Sequence, residues 1–255
     1  MPVTVSFNDD QSRAAFGLAH PKGNIITADI VRALRAGLES AGQNPRLKLV
    51  TIEGAGADFS FGASIPEHAP DRIQAVLPEM HALIEDLLDF PSPTAAIVRG
   101  RCLGGGFELA LACDLIFAAE DASLGLPEIS LGVFPPAACV LLPVRAGAAR
   151  ATRAILTGEA RPARFWYEQG VIELVAPAGA LSVEVDRWCA THFAGKSAAA
   201  LRHAAAAARA GMRAQVRALL PDVERLYLHD LMQTHDAAEG IEAFLQKRAP
   251  RWQDR

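Results

Sequence analysis

Three consecutive glycines, Gly104, Gly105 and Gly106, constrain this chain more than any other feature. A short apolar run, residues 95–98, precedes them, and a longer apolar stretch begins at Phe107. The order predicts a strand, a tight glycine loop and the N-terminus of a buried helix. The first N–H groups of such a helix lack partners inside it and favour negative charge. Glycine lets that backbone approach a ligand closely. Glu108 lies in the first turn, inside the apolar run, where a carboxylate is a candidate for acid–base work. The spacing fits neither the dinucleotide fingerprint G-x-G-x-x-G nor a phosphate loop ending in Gly-Lys-Ser/Thr. Taken alone, the glycines fit a tight turn, and Glu108 a dipole-favoured helix start.

The flanking segments place this motif in a larger alternation. Residues 3–7 alternate apolar and polar, as a half-buried strand does, and 13–18 is a hairpin partner. A helix follows Thr27, with Ile30, Val31, Leu34 and Leu38 on one face and Thr27 or Asp29 as cap. A strand is expected at 47–52 and a helix over 72–90, ended by Pro91 and Pro93. Further strands are expected at 94–98, 115–118 and 171–175, with an irregular proline-rich stretch at 123–136. From residue 137 onward the pattern is mostly helical. Strands alternating with helices predict an α/β fold, with a helical final third.

Composition narrows the function classes. The 255 residues suit one large domain or two smaller ones. The net charge of −4 offers no general attraction for nucleic acid. Cys102, Cys113, Cys139 and Cys189 contain no C-x-x-C pair, which argues against zinc and a disulfide framework and suits a cytoplasmic location. No H-E-x-x-H spacing suggests a metal site and no G-x-S-x-G elbow suggests a serine hydrolase. The N-terminus lacks a signal-peptide pattern, and no apolar run reaches the roughly 20 residues needed to span a bilayer.

Four stretches in order resemble the enoyl-CoA hydratase/isomerase (crotonase) superfamily. The first comprises Phe59, Gly62, Ala63, Ser64 and Ile65, similar to F-x-x-G-A-D-I. The second comprises Gly100, Gly104, Gly105, Gly106, Glu108, Leu109, Ala110, Cys113 and Asp114. Residues 122–132, containing Pro127 and Glu128, form the third. Residues 156–160 with Gly170, Val171, Ile172 and Val175 form the fourth. The resemblance implies a spiral of β-β-α units followed by a helical region that drives trimerisation. We expect a spiral core with an acyl-CoA site over 1–195 and a C-terminal helical region over 196–255. It also implies an oxyanion hole made by the N–H groups of Ala63 and Gly105, with Glu108 and Glu128 as catalytic residues. In hydration Glu108 would help activate water and Glu128 supply the proton. Such a reaction needs no metal or other cofactor, because coenzyme A is part of the substrate. The implied partners are an acyl-CoA thioester and other copies of the chain, as a homotrimer or a dimer of trimers. Neither nucleic acid nor membrane is implied.

Two departures from the common pattern accompany the resemblance. The usual Pro-x-x-Gly-Gly after the second glutamate is replaced by Phe134, Pro135, Pro136, Ala137, Ala138, Cys139 and Val140, and Phe61 and Ser64 stand where Ala and Asp are common. Both changes resemble the cyclohexa-1,5-diene-carbonyl-CoA hydratase subgroup. Phe61, Ser64, Ile65, Gly104 and Phe134 are therefore expected to bind substrate, with Phe61 and Phe134 lining a pocket for a flat ring or serving as plain core. Arg202, Arg209, Arg213 and Arg217 form a basic stripe, read as a solvated face or as contacts to CoA phosphates. The alternatives to hydration are a double-bond isomerase using one glutamate, and a crotonase-fold binding protein with little turnover.

Overall fold

The computed structural model describes residues 2–255, without the side chains of Pro70 and Asp71. Its first hairpin joins β1 (Val3–Phe7) to β2 (Arg13–Leu18) in antiparallel register, Val3 opposite Leu18. The next strands all run parallel: β3 (Leu49–Gly54) on β2, β4 (Thr94–Val98) on β3, and β6 (Leu115–Ala119) on β4. Parallel neighbours need long crossovers, usually helical. Here α1 (Ala28–Gly42) links β2 to β3, α2 (Pro70–Asp89) links β3 to β4, and α3 (Gly105–Ala112) links β4 to β6. Thr27 caps α1, its hydroxyl accepting from Ile30 N at 3.4 Å. The last parallel strand, β9 (Leu174–Ala176), pairs with β6.

The later part of the chain also leaves short strands in a second sheet, and the first two crossovers contribute single bridges. There β5 (Arg101–Leu103) pairs with β7 (Ser123–Gly125), which pairs with β8 (Arg161–Pro162). Ser60 adds a single bridge to Cys102 of β5. One turn of the chain thus gives a strand to each sheet and then a helix. This is the β-β-α spiral of the crotonase fold. The strands β4 and β6 are almost wholly buried, as strands covered on both faces must be. Every residue of α3 is buried, which explains its apolar character all round, Glu108 excepted.

The later helices are α4 (Pro136–Ala146), α5 (Ala148–Thr157), α6 (Ala163–Glu168), α7 (Leu181–His192), α8 (Ala198–Ala208), α9 (Ala210–Arg225) and α10 (His235–Leu245). Val216 and Leu220 of α9 enter the main core of this same chain. A second apolar cluster joins Ile73 and Leu77 of α2 to Val133, Tyr227, Leu228, Met232, Ala237 and Ile241. It closes over the start of α3.

Of the basic stripe, Arg209 lies on no solvated face, whereas Arg217 is exposed. Arg209 is buried and grips Asp114 through Nε (2.6 Å) and Nη2, while its other N–H groups bond the carbonyls of Phe90 and Ser92. Arg213 and Arg217 both pair with Asp89, and Arg202 donates to the Asn44 carbonyl. These arginines fasten the C-terminal helices to the spiral. Asp114 is tied to the fold from its other side, where Thr94 N–H donates to it at 2.7 Å.

Candidate active site

A cavity of about 540 Å³ lies between the start of α3, the loop after β3 and the C-terminal cluster. Its walls include Ala63, Ser64, Gly105, Glu108, Glu128, Phe134 and Tyr227. Three motifs far apart in sequence therefore meet around one cavity that is partly open to solvent.

The glycines explain how they meet. Gly104 has φ +51° and ψ −127°, a backbone conformation essentially restricted to glycine. A Cβ there would lie 2.5 Å from Glu128 Oε1. A Cβ on Gly105 would lie 3.3 Å from both the Cβ and the N of Ala63, so the two backbones nearly touch. The N–H groups of Ala63 and Gly105 have no acceptor among the described residues. That of Gly105 is one of the orphan donors at the head of α3. The flanking bonds hold the loop rigidly: Ile26 N donates to Gly62 O at 2.9 Å and Ser64 N donates to Ile26 O at 3.0 Å.

Glu108 is 6% exposed, and its Oε1 accepts from Ala138 N–H at 2.8 Å. Ala138 lies in the first turn of α4, where backbone donors are free. The sequence Pro-Pro-Ala-Ala thus keeps a helix N-terminus aimed at the first glutamate without the usual glycines. Burial raises the Glu108 carboxyl above its ordinary range. The Ala138 N–H, the charge of His81 and the Ala137 N–H act in the opposite direction. Glu128 sits in a single 3-10 turn, Pro127–Leu131. The residue is half-buried, but its Oε2 is fully enclosed and has no partner among the described residues. Burial, and then the charge of Glu108, hold its carboxyl well above the ordinary range. The two carboxyls are therefore electrostatically linked, and the pair resists losing both protons. Cys139, near both, is no nucleophile: burial and the two glutamate charges push its thiol up to about 12.

The expected substrate-binding residues separate. Ser64 and Phe134 line the cavity, and Gly104 stands behind Glu128. Phe61 does not line it. Its ring is on the surface beneath the Arg101 guanidinium, 3.9 Å from ring centroid to Cζ, so it forms no wall for a buried ring. Ile65 packs on the second apolar cluster instead of facing the cavity. The sequence reading missed Tyr227, which lines the cavity. It also missed His81, which is buried, bonds Glu224 through Nδ1 and has no partner at Nε2. A lone tyrosine in an apolar helical run was the available signal for the first. Among the described residues no three His, Cys, Asp or Glu side chains are grouped to hold a metal, and no helix is long and apolar enough to cross a membrane.

Comparison with known proteins places the chain in a family. The family model for enoyl-CoA hydratase/isomerase matches residues 10–255. The chain is 42% identical over 257 residues to a cyclohexa-1,5-dienecarbonyl-CoA hydratase of Thauera aromatica, covering 100% of this chain and 98% of that one. It is 32% identical to a probable enoyl-CoA hydratase of Bacillus subtilis (strain 168), covering 97% and 98%. Among solved structures, an enoyl-CoA hydratase from Mycobacterium avium subsp. paratuberculosis K-10 superposes with a TM-score of 0.88 at 29% identity, covering 100% and 99%. The chain belongs to the enoyl-CoA hydratase/isomerase family of enzymes and has its crotonase fold.

Proposed function

We propose that this protein adds water to a conjugated enoyl- or dienoyl-CoA thioester, and that its substrate is cyclohexa-1,5-diene-carbonyl-CoA. The observation that carries the reading is the convergence of two buried carboxyls, Glu108 and Glu128, on one cavity with the unpaired N–H groups of Ala63 and Gly105. The thioester oxygen sits between those two donors. As water adds to the conjugated double bond, negative charge builds on that oxygen, and each fixed donor is worth about 3–4 kcal/mol at the transition state. Glu108, steadied by the Ala138 N–H, takes a proton from the attacking water. Glu128, held protonated by burial and by its neighbour's charge, delivers a proton to carbon. An isomerase needs one such group; a site that keeps two in unequal environments suits hydration.

The ring specificity rests on the 42% relative and on the cavity wall at Phe134, Pro135 and Pro136. Flat, rigid side chains there favour a flat acyl group over a flexible one. Coenzyme A enters as part of the substrate and no other cofactor takes part. We place the enzyme in the cytoplasm as a homotrimer or a dimer of trimers, with residues 1–195 carrying the site and 196–255 the helical region.

Mass-resolved turnover of the purified protein against crotonyl-CoA and cyclohexa-1,5-diene-carbonyl-CoA, side by side, tests this. A gain of one water on the cyclic substrate is the expected result. An unchanged mass with a moved double bond would make the enzyme an isomerase. Binding of both without turnover would make it a binding protein.

A further inference from the structure

Tyr227 stands in a helical segment that does not repeat regularly. Leu226–Asp230 forms a single π-turn between α9 and the last helices, a local widening often found at functional sites. The widened turn buries two successive residues, Tyr227 and Leu228. The Leu228 carbonyl accepts from the side-chain amides of Gln74 and Gln233, both at 3.4 Å. The Tyr227 ring is fixed edge-on against Phe134, centroids 5.3 Å apart at 81°. The residue is 1% exposed, and its hydroxyl, which keeps some access to open space, has no hydrogen-bond partner among the described residues. A buried phenol usually finds a partner. The ring lines the same cavity as the two glutamates. Burial, then the charges of Glu128 and Glu108, keep the phenol protonated, so it acts there as a donor.

We propose that Tyr227 is a catalytic residue whose O–H donates to the oxygen of the water shared by Glu108 and Glu128. The inference rests on the hydratase reading above. A water between the two carboxyls turns its hydrogens toward them. One lone pair attacks carbon, and the other needs a donor. The Ala138 N–H is taken by Glu108, and the N–H groups of Ala63 and Gly105 belong to the thioester oxygen. The Thr27 hydroxyl oxygen accepts from Ile30 N–H at the head of α1, and the His68 ring engages the Ser64 carbonyl at 2.9 Å. Of the hydroxyls that line the cavity, that of Tyr227 is the one that senses both carboxyl charges. As the C–O bond forms, one O–H bond of water breaks toward Glu108 and the Glu128 proton passes to carbon. Tyr227 keeps its own proton throughout. In the reverse direction the same O–H steadies the departing hydroxide.

The test compares Tyr227→Phe with the wild-type enzyme on whichever thioester the latter hydrates. The variant keeps the ring contact with Phe134. We expect kcat to fall roughly 10- to 100-fold, the scale of one hydrogen bond to a charged group, with KM nearly unchanged and the pH–rate profile displaced. Unchanged kcat and profile in a folded variant overturn the proposal. A second readout needs no turnover, because the chain has only two tyrosines, Tyr167 and Tyr227. With the tyrosine Cζ carbons labelled with ¹³C, the Tyr227 resonance is expected to titrate with the glutamate pair, while that of exposed Tyr167 stays still. A Tyr227 resonance indifferent to that titration overturns the placement even if Tyr227→Phe does not fold. A wild-type enzyme that hydrates neither thioester, with a titrating Tyr227, would refute the substrate reading and leave the placement standing.

Discussion

Replacing Gly104 with alanine separates the position of Glu128 from its chemistry. The new Cβ would stand 2.5 Å from Glu128 Oε1 and 3.3 Å from its Cδ. An ordinary contact between a carbon and another heavy atom is about 3.5 Å, so the carboxylate must retreat by about 1 Å. A displacement of that size in a catalytic group costs about 100-fold in rate, or about 2.7 kcal/mol of transition-state stabilisation. The backbone adds its own cost, about 1–3 kcal/mol of folding stability, because φ +51° and ψ −127° suit glycine. Gly170 provides the control. It too has positive φ, +74°, but its Cβ would meet nothing within 4 Å. Gly170→Ala should therefore lose stability and keep kcat, whereas Gly104→Ala should lose both. Steady-state kinetics at a temperature where both variants are folded, beside urea unfolding, give the two quantities. If Gly104→Ala keeps a kcat close to that of Gly170→Ala, the glycine does not position the acid and the reasoning fails.

Glu108→Gln and Glu128→Gln should each lower hydration by about two orders of magnitude or more, with acyl-CoA binding retained; stopped-flow turnover and calorimetric binding check both parts. The same Glu128→Gln should raise stability at alkaline pH. An acid held above its unfolded value binds more protons in the native state, so its contribution declines as pH rises from the unfolded pKa near 4.5. Melting temperatures of variant and wild type should converge below that pH and separate above it; a constant offset would contradict the assignment. Arg209→Met should cost about 3 kcal/mol or more, because it strands Asp114, and should leave kcat per folded molecule unchanged. Urea unfolding with active-site titration measures both.

The strong elements were legible because they are long or punctuated. β2 follows the expected 13–18, and Pro91 and Pro93 bound α2. The second sheet was not legible, since β5 and β7 have three residues and β8 two, too few to show a period. The stretch 123–136 reads as irregular because it is a short strand, a 3-10 turn and a helix start in succession. The structural role of Arg209 was not legible because its partner, Asp114, lies far away in sequence. Among the apolar positions of the last helices, Val216, Leu220 and Leu228 are buried in this chain's own packing, whereas Leu219 and Leu226 are exposed, a division the helical pattern alone did not show. Phe61 was misplaced for a related reason. Its neighbours Ser60 and Gly62 are buried in the loop, while its own side chain turns outward under Arg101.

The three glycines are not interchangeable, and that couples the parts of the site. Gly104 leaves room for Glu128, Gly105 brings its own N–H against the Ala63 loop, and a Cβ on Gly106 would strike the Ser60 side chain at 2.7 Å. Ser60 in turn holds the Gly62 N–H at 3.1 Å and the Asn24 carbonyl at 2.7 Å. Glu108 follows Gly104 by one helical turn, its N–H bonding the Gly104 carbonyl at 3.0 Å. Both glutamates and the N–H groups of Ala63 and Gly105 are thus referred to five successive residues of backbone. A shift in that backbone moves all four groups together, so the site holds its internal geometry while the wall at Phe134 is free to change. The replacement of the usual glycines by Pro135, Pro136 and Ala137 shows the same division. It alters the wall while Ala138 keeps its N–H on Glu108. Substrate selectivity can therefore change along residues 134–137 without disturbing the backbone groups that hold the two glutamates.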